Sequence, residues 1–155
     1  MNFFIGAASS LILIILWGVF YQSRDPHPER VKNLITTVLF GFISFFLSII
    51  IILPAVSVFG LDNNTIDVLF YSGNITIVVA LAASEELSKL LVLRHIILKN
   101  KDVNEHIDGV FYGALMGLGF AAIENFFYAL SIDAVSSVIR ALLIPLLHSA
   151  TGAVL

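Results

Sequence analysis

Apolar runs of about twenty residues alternate with short polar stretches along this chain. They cover residues 3–21, 34–58, 70–93, 109–130 and 138–155. A helix needs about twenty apolar residues to cross the hydrocarbon of a bilayer, and backbone at that depth has to satisfy its own hydrogen bonds. The pattern therefore predicts an all-α fold, a polytopic membrane helix bundle of about five transmembrane helices. No strand-like alternation competes with it. The first run, MNFFIGAASSLILIILWGVF, has no positive n-region and is as long as a span, so it reads as a retained helix rather than a signal peptide.

The polar stretches fix an orientation. QSRDPHPERVKN carries Arg24, Arg30 and Lys32, and RHIILKNKDVNEHID carries Arg94, Lys99 and Lys101. The intervening GLDNNTID and SIDAVSS have aspartates and no Lys or Arg. Basic residues gather on the cytoplasmic side, so the first and third loops are expected inside and the N-terminus outside. Composition agrees: 59% of the residues are hydrophobic and 12% charged, against roughly 25% charged in soluble domains. The net charge of −3 and the lack of a basic patch exclude nucleic acid as a partner, and no cysteine is present for thiolate or disulfide chemistry. The expected setting is the cell membrane, with the lipid bilayer as solvent.

Against this background the stretch AASEELSKLL is expensive. Glu85, Glu86 and Lys89 stand inside an apolar run, and each charge at that depth costs at least a few kcal/mol. The fourth run holds Glu124 and Asn125; the fifth holds Arg140 and His148. Residues at equal depth on antiparallel helices lie symmetrically about their loop. By that rule Glu85 and Glu124 match to within about two residues, roughly 3 Å, and Glu124 and His148 to within about four, roughly 6 Å. Three helices can thus bring carboxylates and an imidazole to one level, while the first two runs read as scaffold.

The fourth run also carries Gly109, Gly113 and Gly117 at four-residue spacing. Such a rail lets membrane helices pack backbone to backbone, and two of its members lie within about 20° of the Glu124 face. Pro145 bends the fifth helix just before His148. Simpler readings exist for each feature. Lys89 is one turn from both glutamates and can form a local ion pair, Arg140 can snorkel outward, and a lone interior histidine is commonly a packing residue. The constellation is what points to chemistry.

Glutamates and a histidine gathered in a dry pocket can activate water in two ways. A carboxylate can act as general base. Alternatively, carboxylate and imidazole can hold Zn2+ with a position left open for water, and Glu86, Glu124 and His148 are the metal-ligand candidates. Either route ends in hydrolysis of an amide bond within or near the membrane. Glu85 and Glu86 point about 100° apart on their helix, so one is expected to face the water and the other to pair with Lys89 or Arg140. Two other readings use the same residues. Buried carboxylates and histidine also make proton relays in transporters, although no inverted repeat accompanies them. A noncatalytic scaffold or immunity-type partner would need them only as ion pairs.

Three blocks resemble the PrsW family of bacterial intramembrane proteases, itself similar to the CAAX-prenyl-protease and bacteriocin-processing families. Glu85-Glu86-Leu87-Ser88-Lys89 matches an EExxK motif. DGVFYGALMGLGFAAIEN, from Asp108 to Asn125, resembles the family's DGxxYGxxxGxGFAxxEN. Arg140 and His148 follow on the next helix, and SRDPHPERVKNL is a weaker echo in the first loop. The resemblance implies a multi-pass protease, metal-dependent or glutamate-dependent, that cleaves a membrane-anchored protein; in the family's best-known member that protein is an anti-sigma factor. It places Glu85, Glu86, Glu124 and His148 in the catalytic positions, with Lys89, Asn125, Arg140 and Asp108 in support. Family members continue past the histidine helix, whereas this chain stops seven residues after His148. Residues 1–155 are therefore expected to form one transmembrane protease-like domain, C-terminally truncated.

Overall fold

A computed structural model of the chain describes residues 2–24, 28–58, 75–97, 99, 103, 105–130 and 133–155. It is an all-α bundle. Five α-helices run over Asn2–Arg24 (α1), Val31–Val58 (α2), Ile75–Val92 (α3), His106–Tyr128 (α4) and Ala134–Val154 (α5). A short π-helix, Leu93–Ile97, continues α3. Among the described residues no strand occurs.

α4 and α5 start a few residues earlier than their apolar runs suggest, because their caps recruit polar residues. Glu105 and Asp108 form a reciprocal capping box that starts α4 at His106. Asp133 caps α5, its carboxylate accepting the amides of Val135 and Ser136. Residues 59–74 lie outside the described set.

The centre of the bundle is α4. Every residue from Phe111 to Ala121 is buried. α1, α2 and α5 pack around it, and α3 lies chiefly against α2. A helix apolar on all sides belongs in such a position. The surrounding helices turn large apolar residues outward, among them Ile15, Ile35, Ile50, Val79 and Leu143. In water that surface would be a liability, but in lipid it is the expected exterior. Within α2, α4 and α5 there are segments long and apolar enough to cross a membrane, Val31–Pro54, Ile107–Tyr128 and Val135–Val154. The chain is a multi-pass membrane protein. α3 misses the same criterion because it carries Glu85, Glu86 and Lys89 within 18 residues.

Glycines set the closest approaches. A Cβ at Gly113 would strike the carbonyl of Gly152, and one at Gly117 the carbonyl of His148, so these two members of the rail clamp α4 to α5. A second clamp, on the other side of α4, has no counterpart in the predicted rail. Gly119 abuts the carbonyl of Val38 on α2, and Gly41 abuts that of Met116. Close approach of this kind is what small residues provide where no hydrophobic effect drives helices together. Polar side chains inside the bundle are largely turned onto their own helices. Ser44, Ser48, Ser84 and Ser88 each donate to the carbonyl three residues back.

Candidate active site

The ionisable residues of α3, α4 and α5 meet in one chain of contacts. Glu124 is buried on α4, and its two carboxylate oxygens take different partners. Oε1 accepts from Arg140 Nη2 at 2.7 Å, and Oε2 lies 2.9 Å from His148 Nε2. The other ring nitrogen of His148, Nδ1, is 3.0 Å from Lys89 Nζ. Lys89, fully buried, donates also to Glu86 Oε1 at 2.7 Å and to Thr151 Oγ1 at 3.2 Å. The sequence Glu86–Lys89–His148–Glu124–Arg140 thus alternates acceptor-rich and donor-rich groups across three helices. Opposite charges in contact offset the desolvation that isolated charges would suffer there.

The helix register explains how Glu124 and His148 reach one another. Gly117 opposes His148 and Gly113 opposes Gly152. By that register Glu124 is level with Ala141, and His148 lies seven residues further along the axis, about 10 Å at 1.5 Å per residue. This exceeds the offset of roughly 6 Å that loop symmetry gave. Side chains lean toward the N-terminus of their own helix. On antiparallel helices these two therefore lean toward each other, and both are long enough to close the gap.

Aromatic rings complete the walls. Phe120, one turn before Glu124, has its ring centroid 4.9 Å from that of His148 and 5.1 Å from the Lys89 ammonium. Arg140 lies over the Tyr128 ring at 3.5 Å, so the guanidinium is held by a carboxylate and a π-face together. Neither ring was singled out by the sequence reading, although the spacing of Phe120 and Glu124 puts both on one helical face.

The two adjacent glutamates separate as their geometry requires. Glu86 takes Lys89, while its second oxygen is buried without a partner among the described residues. Glu85 accepts no side-chain hydrogen bond among the described residues, yet it lies within electrostatic reach of Glu124, Lys89, Glu86 and Arg140. Asn125 is buried beside Glu124 but points about 100° away around α4.

Asp108 stands elsewhere. Its carboxylate accepts the Glu105 amide at 2.8 Å as part of the α4 cap, 16 residues and about 24 Å of helix from Glu124. It belongs to a second polar cluster that the sequence reading did not anticipate. Glu29, from the first loop, is buried and accepts the hydroxyl of Tyr112, and its main-chain carbonyl takes Gln22 Nε2 at 2.6 Å. The only signal for this cluster was the weak resemblance of SRDPHPERVKNL, since a loop glutamate ordinarily reads as solvated.

The zinc set of Glu86, Glu124 and His148 is not assembled. A catalytic zinc takes three protein ligands. His148 Nε2 and Glu124 Oε2 stand near the roughly 3.3 Å that separates two ligands of one tetrahedral ion. Glu86, however, lies on the opposite side of the imidazole, held there by the Lys89 ammonium. Among the described residues no three His, Asp or Glu side chains converge on a common point. Among the described residues the donors supply two positions of a metal site.

Comparison with known proteins adds an independent line. A sequence model of the PrsW family intramembrane metalloproteases matches residues 29–155. Protease PrsW of Clostridioides difficile (strain 630) is 34% identical over 125 residues, 77% of this chain and 49% of that protein. Protease PrsW of Bacillus subtilis (strain 168) is 28% identical over 116 residues, 72% of this chain and 50% of that protein. The chain spans about half the length of these curated relatives. No solved structure matches.

Proposed function

Since the chain belongs to the PrsW family of intramembrane metalloproteases, we propose that it carries the polar core of a peptidase that hydrolyses a peptide bond in a membrane-anchored protein. The observation that carries this reading is the buried Glu124–His148 contact at 2.9 Å, flanked by Arg140 on one side and Lys89 on the other. A structural ion pair would need one cation per carboxylate. Here an imidazole is added between two oppositely charged pairs, and Glu85 is left with no hydrogen bond from a described residue.

In the proposed chemistry Glu85 takes a proton from water as the water oxygen attacks the scissile carbonyl carbon. That carbonyl oxygen gains the negative charge, which the Arg140 and Lys89 cations stabilise across a low-dielectric site. The proton then passes to the departing amine nitrogen as the C–N bond breaks. Glu124 and His148 hold the polar chain in register. Glu86 is assigned to positioning Lys89. No step is routed through a metal. Five membrane spans with the N-terminus outside, and an anti-sigma factor as the class of substrate, belong to the same proposal. A transporter reading draws on the same buried groups, but no specific observation favours it.

The test is cleavage of a single-span reporter protein in liposomes, followed by mass spectrometry of the products. Cleavage by the wild-type chain that is lost in Glu85→Gln and Glu124→Gln, with both variants folded, is the expected result. Undiminished cleavage in both would overturn the assignment.

A further inference from the structure

The ammonium of Lys89 is saturated. It has three N–H bonds and no acceptor. Three acceptors surround it, Glu86 Oε1 at 2.7 Å, His148 Nδ1 at 3.0 Å and Thr151 Oγ1 at 3.2 Å. The residue has no exposed surface, so water does not supply an alternative. The Thr151 hydroxyl hydrogen is directed elsewhere, to the main-chain carbonyl of His148 at 3.3 Å, which leaves its oxygen free to accept. The face of Phe120 lies beneath the ammonium and beside the imidazole, limiting where either can swing.

These partners dictate the state of the ring. A nitrogen that faces a donor-only ammonium has to present its lone pair, so Nδ1 of His148 carries no hydrogen. The opposite nitrogen, Nε2, faces a Glu124 oxygen at 2.9 Å, and that carboxylate also takes the Arg140 guanidinium. A carboxylate bound to arginine is an acceptor, so Nε2 carries the hydrogen and donates it. An imidazolium would set an Nδ1–H against the ammonium with no acceptor between them. The reverse tautomer would set two donors face to face on one side and two lone pairs on the other.

We propose that Lys89 is a positioning residue that fixes His148 as the neutral Nε2–H tautomer, with that hydrogen aimed at Glu124. Its part in the EELSK segment is then to define which way the imidazole donates. Any electrophile approaching Nε2 has first to displace this hydrogen. The consequence for catalysis rests on the proposed function, but the tautomer itself does not, and it can be read without a substrate.

The experiment is solid-state NMR of the protein in lipid bilayers, with 13C,15N-labelled histidine, using the ring shifts and one-bond N–H couplings that separate the two tautomers. The His148 signals are those absent from His148→Gln. The expected spectrum of the wild type has protonated Nε2 and unprotonated Nδ1. Lys89→Met should lower the Nε2–H to Nδ1–H ratio by at least about tenfold, the least that loss of a hydrogen bond from a charged donor implies. Thr151→Val, which touches the same ammonium but leaves its bond to the ring, should keep the wild-type tautomer. A wild-type spectrum with protonated Nδ1 would overturn the proposal even if Lys89→Met does not fold. An equal change in Thr151→Val and Lys89→Met would also overturn it, because packing rather than the ammonium would then set the ring. Failed peptide cleavage with the expected spectrum would count against the proposed function alone.

Discussion

Gly117 lies directly against the main-chain carbonyl of His148, so α4 and α5 touch backbone to backbone where the imidazole leaves its helix. The obstructing atoms are main chain and cannot rotate away. Gly117→Ala should destabilise the bundle by about 1–3 kcal/mol, the usual penalty for forced overpacking, and lower the cleavage rate with it. Gly18→Ala is the control, because a Cβ there meets nothing within 4 Å. It should leave stability unchanged or raise it by up to about 1 kcal/mol through helix propensity. Thermal unfolding in detergent, read by circular dichroism, checks both.

The two glutamates of AASEELSKLL should fail differently. Glu85→Gln should cut cleavage at least about 100-fold, the lower bound for a general base, with little change in stability. Glu86→Ala should cost about 3 kcal/mol by stranding the Lys89 charge. The low end of the range for a broken buried pair applies, because the Glu86 side chain is 35% exposed. Parallel rate and unfolding measurements on both variants decide it, and the opposite pattern would exchange their roles.

Arg140 and Glu124 should show strong coupling. Removing either alone leaves a charge in the site without its partner, at about 3–5 kcal/mol. The double variant Glu124→Gln/Arg140→Met should cost less than the two singles added together. A double-mutant cycle on unfolding free energies measures the difference, and additivity within about 0.5 kcal/mol would mean that the pair is not formed.

Tyr112→Phe tests the second polar cluster. It removes the hydroxyl that Glu29 accepts and should destabilise by about 1.5–3 kcal/mol, the range for a hydrogen bond to a charged group. Once unfolding is accounted for, cleavage per folded molecule should be unchanged, since Tyr112 lies 12 residues and about 18 Å of helix from Glu124. A steady-state rate normalised to folded protein checks this.

Asp133 gives a pH signature at the start of α5. The Ser136 hydroxyl, and then the Ser136 and Val135 amides, hold its carboxyl below its ordinary value of 3.8. A lowered folded-state value means that the cap contributes fully above the unfolded-state value and is lost as pH falls through the folded one. Amide exchange at residues 135–137 should therefore be slow at neutral pH and quicken in strong acid beyond its intrinsic pH dependence. In Asp133→Ala it should be fast throughout. Equal protection in the variant would remove Asp133 as the cap.

Depth along the membrane was legible in the sequence, and direction around each helix was not. Apolar run length found all five helices, and loop symmetry brought Glu124 and His148 to a comparable level. It could not show that the two reach one another by leaning along the axis, nor that Lys89 would turn to His148 as well as to Glu86. The rail marked Gly113 and Gly117 as points of close helix packing without saying which helix packs there, while Gly119 and Gly41 are not spaced as a repeat and became readable only once α2 and α4 were side by side. Asp108 matched a family block and proved to be a helix cap, because a motif records that a residue is needed without saying for what.

The glycine clamps have one more consequence. Because the carbonyls of Gly152 and His148 fill the space where side chains would sit on Gly113 and Gly117, α4 and α5 cannot slide or part without losing contact along most of their length. α3 touches α5 much less, and Lys89 is its hydrogen-bonded link to that helix. The assembly is mechanically lopsided: α3 is seated on α2 and only lightly latched to the clamped α4–α5 pair. An extended peptide entering between α3 and α5 has to break a few polar contacts. One entering between α4 and α5 has to pry apart two backbones.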